Sequence, residues 1–144
     1  LGCSVRLIER SPIIARLVDD AIARARDDEN FCPLIEHGFK LINSNAIEYL
    51  TQLDDASRPD VIYLDPMYPE RKKSARVKKN MQILQKLLGH DEDTEQLLKA
   101  ALQCARKRVV VKRPKGSDSL FGDKPTISYE SKKTRYDTYV IQHA

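Results

Sequence analysis

The chain has 144 residues, 41% hydrophobic and 32% charged, with 25 basic against 21 acidic side chains and a formal charge of +4. That is material for one domain or part of one, with no apolar run as long as a membrane span and no signal-peptide pattern. Cys3, Cys32 and Cys104 are odd in number and, like His37, His90 and His143, widely scattered, which argues for free thiols in a reducing cytoplasm and against a disulfide framework or a metal centre.

The residues from Ser4 to Ile8 predict a strand that ends in Glu9. Ser11-Pro12 predicts a helix start, with Ser as N-cap and Pro at the first helical position. The helix runs to about Arg26, with Ile13, Ile14, Leu17, Val18, Ala21 and Ile22 on one apolar face. Asn30 to Gly38 reads as a loop with a short turn. Phe39 to Asn43 is a second strand, and Ser44-Asn45-Ala46 turns into a helix reaching about Leu53. Asn45 suits the N-cap of that helix, and Glu48 suits the reciprocal place of a capping box. Asp54 to Asp60 is a connector.

The stretch Val61-Ile-Tyr-Leu-Asp-Pro-Met-Tyr-Pro69 organises the rest. Four apolar residues bounded by turn formers predict a strand buried on both faces. Pro66 has no N–H for a central ladder, so the strand stops at Asp65 and sets a carboxylate at its C-terminal end. Ligands of open α/β sheets bind at that edge. Met81, Leu84, Leu87 and Leu88 have helical spacing, with Gly89 as the stop. Another helix starts at Asp93 or Thr94, with Leu97, Leu98, Ala101, Leu102 and Ala105 facing inward. Arg108 to Val111 is a strand, and Lys112-Arg-Pro-Lys-Gly116 leaves its C-terminal end. Thr126–Ser131 and Tyr136–Gln142 alternate as strands around a hairpin at Lys132–Arg135. Strands alternating with helices, then an antiparallel pair, give an α/β fold with a mostly parallel sheet. Arg71 to Lys79 and Arg106 to Lys115 each hold six basic residues and no acid, which favours a polyanion surface beside those strand ends.

Asp65, Pro66 and Tyr68 form an acid-proline-x-aromatic tetrapeptide. It resembles the (Asp/Asn)-Pro-Pro-(Tyr/Phe) motif of methyltransferases acting on exocyclic amino groups, with Met67 in place of the second proline. The longer run Asp65-Pro-Met-Tyr-Pro-Glu-Arg-Lys-Lys-Ser-Ala-Arg-Val-Lys-Lys79, with Val109-Val-Val-Lys-Arg-Pro114 and Arg135-Tyr-Asp-Thr-Tyr139, resembles the RsmJ (YhiQ) family from Gly2 to Ile141. Those are S-adenosylmethionine-dependent guanine-N2 methyltransferases of small-subunit ribosomal RNA with a Rossmann-like fold. The resemblance implies catalytic roles for Asp65, Pro66 and Tyr68. It implies cofactor contacts at Glu9 for the ribose, at Asn45 and Ala46 for the adenine, and at Arg10 and Asp65. The two basic runs make Arg71, Lys72, Lys73, Arg76, Lys78, Lys79, Lys112 and Arg113 the candidate phosphate contacts, and the scattered cysteines and histidines argue for no metal and a cytoplasmic enzyme. Amino-group methylation of DNA or protein glutamine, and an RNA-binding module without catalysis, stand as alternatives. For Asn45 the bare helix cap stands equally.

Five glycines, Gly2, Gly38, Gly89, Gly116 and Gly122, give no Gly-x-Gly turn. In the implied fold the strand carrying that turn lies between the strand ending in Glu9 and the strand ending in Asp65. The chain is therefore expected to be a C-terminal portion of one methyltransferase domain, without the first strand and Gly-rich loop, with a gap between those two strands and weak cofactor binding when alone.

Overall fold

The computed structural model describes residues 2–36, 38–66, 93–117 and 124–142. Two compact units divide the chain, residues 1–49 and 50–144. In the first, β1 (Val5–Glu9) leads into α1 (Pro12–Arg26). Ser11 caps α1 by accepting from the N–H of Ile14, and Pro12 opens the first turn. The expected loop holds a short helix, α2 (Cys32–Glu36). Its Pro33 sits in the first turn, where a missing N–H costs nothing. β2 (Phe39–Asn43) pairs in parallel with β1, from Val5 opposite Phe39 to Glu9 opposite Asn43.

The second unit is a four-stranded sheet of order β3-β4-β6-β5. Its strands are β3 (Val61–Leu64), β4 (Arg108–Pro114), β5 (Ile127–Glu130) and β6 (Thr134–Val140). β3 and β4 are parallel, and the other pairings are antiparallel. α3 (Ala46–Thr51) comes between β2 and β3, followed by a 3-10 turn at Asp55–Ser57. α4 (Thr94–Cys104) packs on β4. Leu98, Ala101, Val109 and Val111 form the centre of the core at 0–2% exposure. Ala100, Cys104 and Ala105 are buried with them, whereas Leu97 and Leu102 are only partly covered.

Two expectations change. Among the described residues β3 is buried on one face only: Ile62 and Leu64 are covered, but Val61 and Tyr63 remain 45% and 54% exposed. β4 does not end at Val111. It runs to Pro114, because antiparallel β6 supplies partners for Lys112, Arg113 and Pro114 in Tyr136, Arg135 and Thr134. The terminal hairpin forms as expected, with Ser131 N–H donating to Thr134 O at 2.7 Å. β1 and β3 belong to different sheets and have β2 and β4 as ladder partners. Among the described residues no helix is long and apolar enough to cross a membrane. Met67, Tyr68, the basic run 71–79 and the expected helix around 81–88 lie outside the described residues.

Candidate active site

The alternation of β3 sends Ile62 and Leu64 into the core and Tyr63 to the open face, and Asp65 continues that open face two residues on. Pro66 is buried and ends the ladder. Asp65 Oδ2 accepts a hydrogen bond from Lys112 Nζ at 2.7 Å, the carboxylate 50% and the ammonium 39% exposed. This contact follows from the register. Leu64 pairs with Val111, so the next residue of each strand, Asp65 and Lys112, meet. Lys112 in turn pairs with Tyr136, and Tyr136 with Tyr129. A row of Asp65, Lys112, Tyr136 and Tyr129 thus crosses one face of the sheet. The hydrogen bond that Lys112 donates to Asp65 pushes the ammonium pKa up, so the side chain stays cationic. Partial burial, and then the Asp65 charge, push the Tyr63 phenol up.

At the C-terminal edge of the β1–β2 sheet the candidate groups are engaged locally. Glu9 Oε1 accepts from the N–H of Ser11 at 2.7 Å. Asn45 Oδ1 accepts from the N–H groups of Ile47 at 2.9 Å and Glu48 at 3.4 Å, so it caps α3, of which Ala46 is the first residue. Arg10 contributes its backbone carbonyl, which with that of Glu9 accepts from Asn43 Nδ2 at 3.3 and 2.8 Å. Asn43 escaped sequence reasoning. Its one signal is an amide at a strand end, which gains meaning only when β2 is known to pair with Glu9 in register.

The second basic run does not form one patch. Seven residues of β4 span roughly 20 Å, so Arg106, Lys107 and Arg108 lie at the start of the strand and Lys112, Arg113 and Lys115 at its end. Arg106 donates to Asp55 O at 2.6 Å and Lys107 pairs with Asp60 at 2.9 Å. Lys115 pairs with Glu130 at 3.0 Å. Arg113 is turned inward at 5% exposure, 3.9 Å from the fully buried Asp137, which also binds Arg135 at 2.8 Å and accepts from Ser128 Oγ at 2.7 Å. Arg113, expected at RNA phosphates, is therefore a core residue: its position in β4 places it on the same face as Val109 and Val111. Among the described residues no group of three His, Cys, Asp or Glu is placed to hold a metal ion.

The sequence profile of the family described as "Putative SAM-dependent methyltransferase" matches residues 1–141. The chain is 52% identical over 140 residues to a ribosomal RNA small subunit methyltransferase J from Nitrosococcus oceani, covering 97% of this chain and 55% of the relative. It is 50% identical over 140 residues to the protein of that name from Thioalkalivibrio sulfidiphilus, covering 97% and 54%. A crystal structure of a SAM-dependent methyltransferase from Neisseria gonorrhoeae superposes with a TM-score of 0.77 at 35% identity, over 99% of this chain and 55% of that one. The chain spans about half the length of the curated relatives it matches. By its sequence and its fold, it belongs to the family of SAM-dependent methyltransferases.

Proposed function

We propose that this chain is part of an enzyme that methylates the exocyclic N2 amino group of a guanine in small-subunit ribosomal RNA. The observation that carries the reading is Asp65, set at the C-terminal end of a sheet strand, stopped there by Pro66 and held on the open face. The names of the relatives support the RNA substrate. S-adenosylmethionine supplies an electrophilic methyl group when bound. The guanine N2 lone pair is delocalised into the ring, so the protein must hold the amine and raise its nucleophilicity. Asp65 Oδ1 and the Pro66 carbonyl accept its two N–H groups. With the amine so held, Asp65 receives the proton that it releases on methylation, directly or through water. Tyr68 stacks on the flipped-out base.

On the donor side Glu9 keeps its second oxygen for a ribose hydroxyl, with Arg10 beside it, while Ala46 N–H and Asn45 meet the adenine. The bond that Glu9 accepts from Ser11 N–H supports this reading, because it fixes one carboxylate oxygen. Arg71, Lys72, Lys73, Arg76, Lys78 and Lys79 bind RNA phosphates. The 144 residues act as the C-terminal portion of one methyltransferase domain, a reading supported by the share of the relatives that they span and by β1 and β3 each having one ladder partner among the described residues. Three free thiols suit a reducing cytoplasm.

The test is methyl transfer from labelled S-adenosylmethionine to small-subunit RNA, protein-free or assembled, by the full-length protein. Asp65→Ala abolishes transfer and leaves cofactor affinity nearly intact, because Asp65 holds the amine. Near-normal turnover would sink the assignment. Transfer to DNA or protein glutamine instead of RNA, or none by the unaltered protein, would favour the other readings.

A further inference from the structure

We propose that Lys112 is the positioning residue for the Asp65 carboxylate, and not a contact to RNA phosphate. The inference rests on the reading of Asp65 as the group that holds the amine. A half-exposed aspartate at the end of an edge strand turns freely about its side-chain bonds. The 2.7 Å bond from Lys112 fixes Oδ2 and so commits Oδ1 to the amine. Lys112 is well rooted for this work. Its neighbours in β4, Val111 and Arg113, are 0% and 5% exposed, and β3 and β6 pin the strand on both sides.

The pair contributes little to folding, since ion pairs this open to solvent are worth little. Its value lies in where it holds the carboxylate. The ammonium also offsets a negative charge at the place where a polyanion must approach. A lysine already bound to a carboxylate would have to leave it to neutralise a phosphate. Displacement by a fraction of an ångström at the reacting atoms is costly in rate, because approach and orientation both enter the barrier.

The experiment compares Lys112→Met, Lys112→Arg and Asp65→Ala in the full-length protein. For Lys112→Met, kcat falls about 10²-fold, the scale of a misplaced reacting group. KM for RNA, the salt dependence of RNA binding and the thermal transition stay as they were. Lys112→Arg recovers a large part of kcat. Near-normal kcat in Lys112→Met beside a dead Asp65→Ala overturns the positioning role and leaves the function standing. An active Asp65→Ala overturns the reading of Asp65 as the group that holds the amine, and this proposal with it. Intact kcat, with weaker RNA binding and a salt slope lower by about 0.7–0.9, returns Lys112 to the phosphate-binding residues. A lost thermal transition with no recovery by arginine makes the role structural, and also overturns the proposal.

Discussion

Residues 1–49 and residues 50–144 treat their apolar side chains differently. Among the described residues the first unit buries only Ala15, while Val5, Leu7, Ile13, Leu17, Phe31 and Leu34 stay 37–60% exposed. The second unit closes around Leu98, Ala101, Val109 and Val111. Its sheet is wide enough to need a helix on one face, and α4 supplies it. The first unit holds its shape by a parallel ladder and by capped helix ends, which satisfy backbone groups without removing much apolar surface from water. The apolar stripe of α1 is as periodic in sequence as that of α4. Periodicity therefore tells which face wants cover, and not whether this stretch of chain provides it.

The largest expected difference between the units is in stability. Leu98→Ala removes a side chain at 2% exposure and costs about 2–5 kcal/mol. Leu17→Ala, at 60% exposure, stays within about 0.5 kcal/mol. Urea unfolding of the 144-residue chain measures both. Equal costs would break the comparison. A large cost for Leu17→Ala in the full-length protein alone would sharpen it, by showing the stripe of α1 covered there.

A smaller effect separates the two uses of Asn45. Its Oδ1 caps α3, so Asn45→Ala costs about 1 kcal/mol of stability. Asn45→Ser keeps a capping oxygen and holds stability within a few tenths of a kcal/mol, but it removes the amide. If the side chain also meets the adenine, cofactor affinity of the full-length protein falls several-fold, the worth of one hydrogen bond of about 1 kcal/mol. Calorimetry with S-adenosylmethionine measures it. Unchanged affinity would leave Asn45 a helix cap and nothing more.

What the sequence revealed was local. Ser11-Pro12 fixed the start of α1 and Asn45 the start of α3, because a cap is a matter of three or four neighbouring residues. Pro66 fixed the end of β3 in the same way. The partner of Asp65 was not legible, since Lys112 lies 47 residues away and meets it through the parallel register of β3 and β4. Arg113 was misread for a related reason. A basic residue in a basic run looks solvated until the strand is known to continue past Val111. The two-residue alternation from Val109 and Val111 then carries Arg113 inward to Asp137, in an Arg-Tyr-Asp run whose carboxylate is fully buried. The short α2 hid behind Pro33, which reads as a loop former until it is seen to occupy a first turn.

The smallest expected effect sets the two basic runs against each other. In the run at β4, Lys107 is bonded to Asp60 at 2.9 Å, at the end of the strand opposite to Asp65. The hydrogen bond that Lys107 donates holds the Asp60 carboxyl below its usual range, so the carboxylate is charged at neutral pH. Arg71 to Lys79 has six basic residues and only apolar or hydroxyl side chains between them. Replacing Lys72 and Lys73 together by glutamine weakens RNA binding by the full-length protein. It lowers the slope of log affinity against log salt by about 0.7–0.9 for each phosphate that is no longer neutralised. Lys107→Gln leaves the slope unchanged, since a cation already held by a carboxylate releases no counterion from RNA. Equal slopes for all three proteins would return Lys72 and Lys73 to solvated surface. A lower slope for Lys107→Gln alone would move the RNA to the opposite edge of the sheet, away from Asp65.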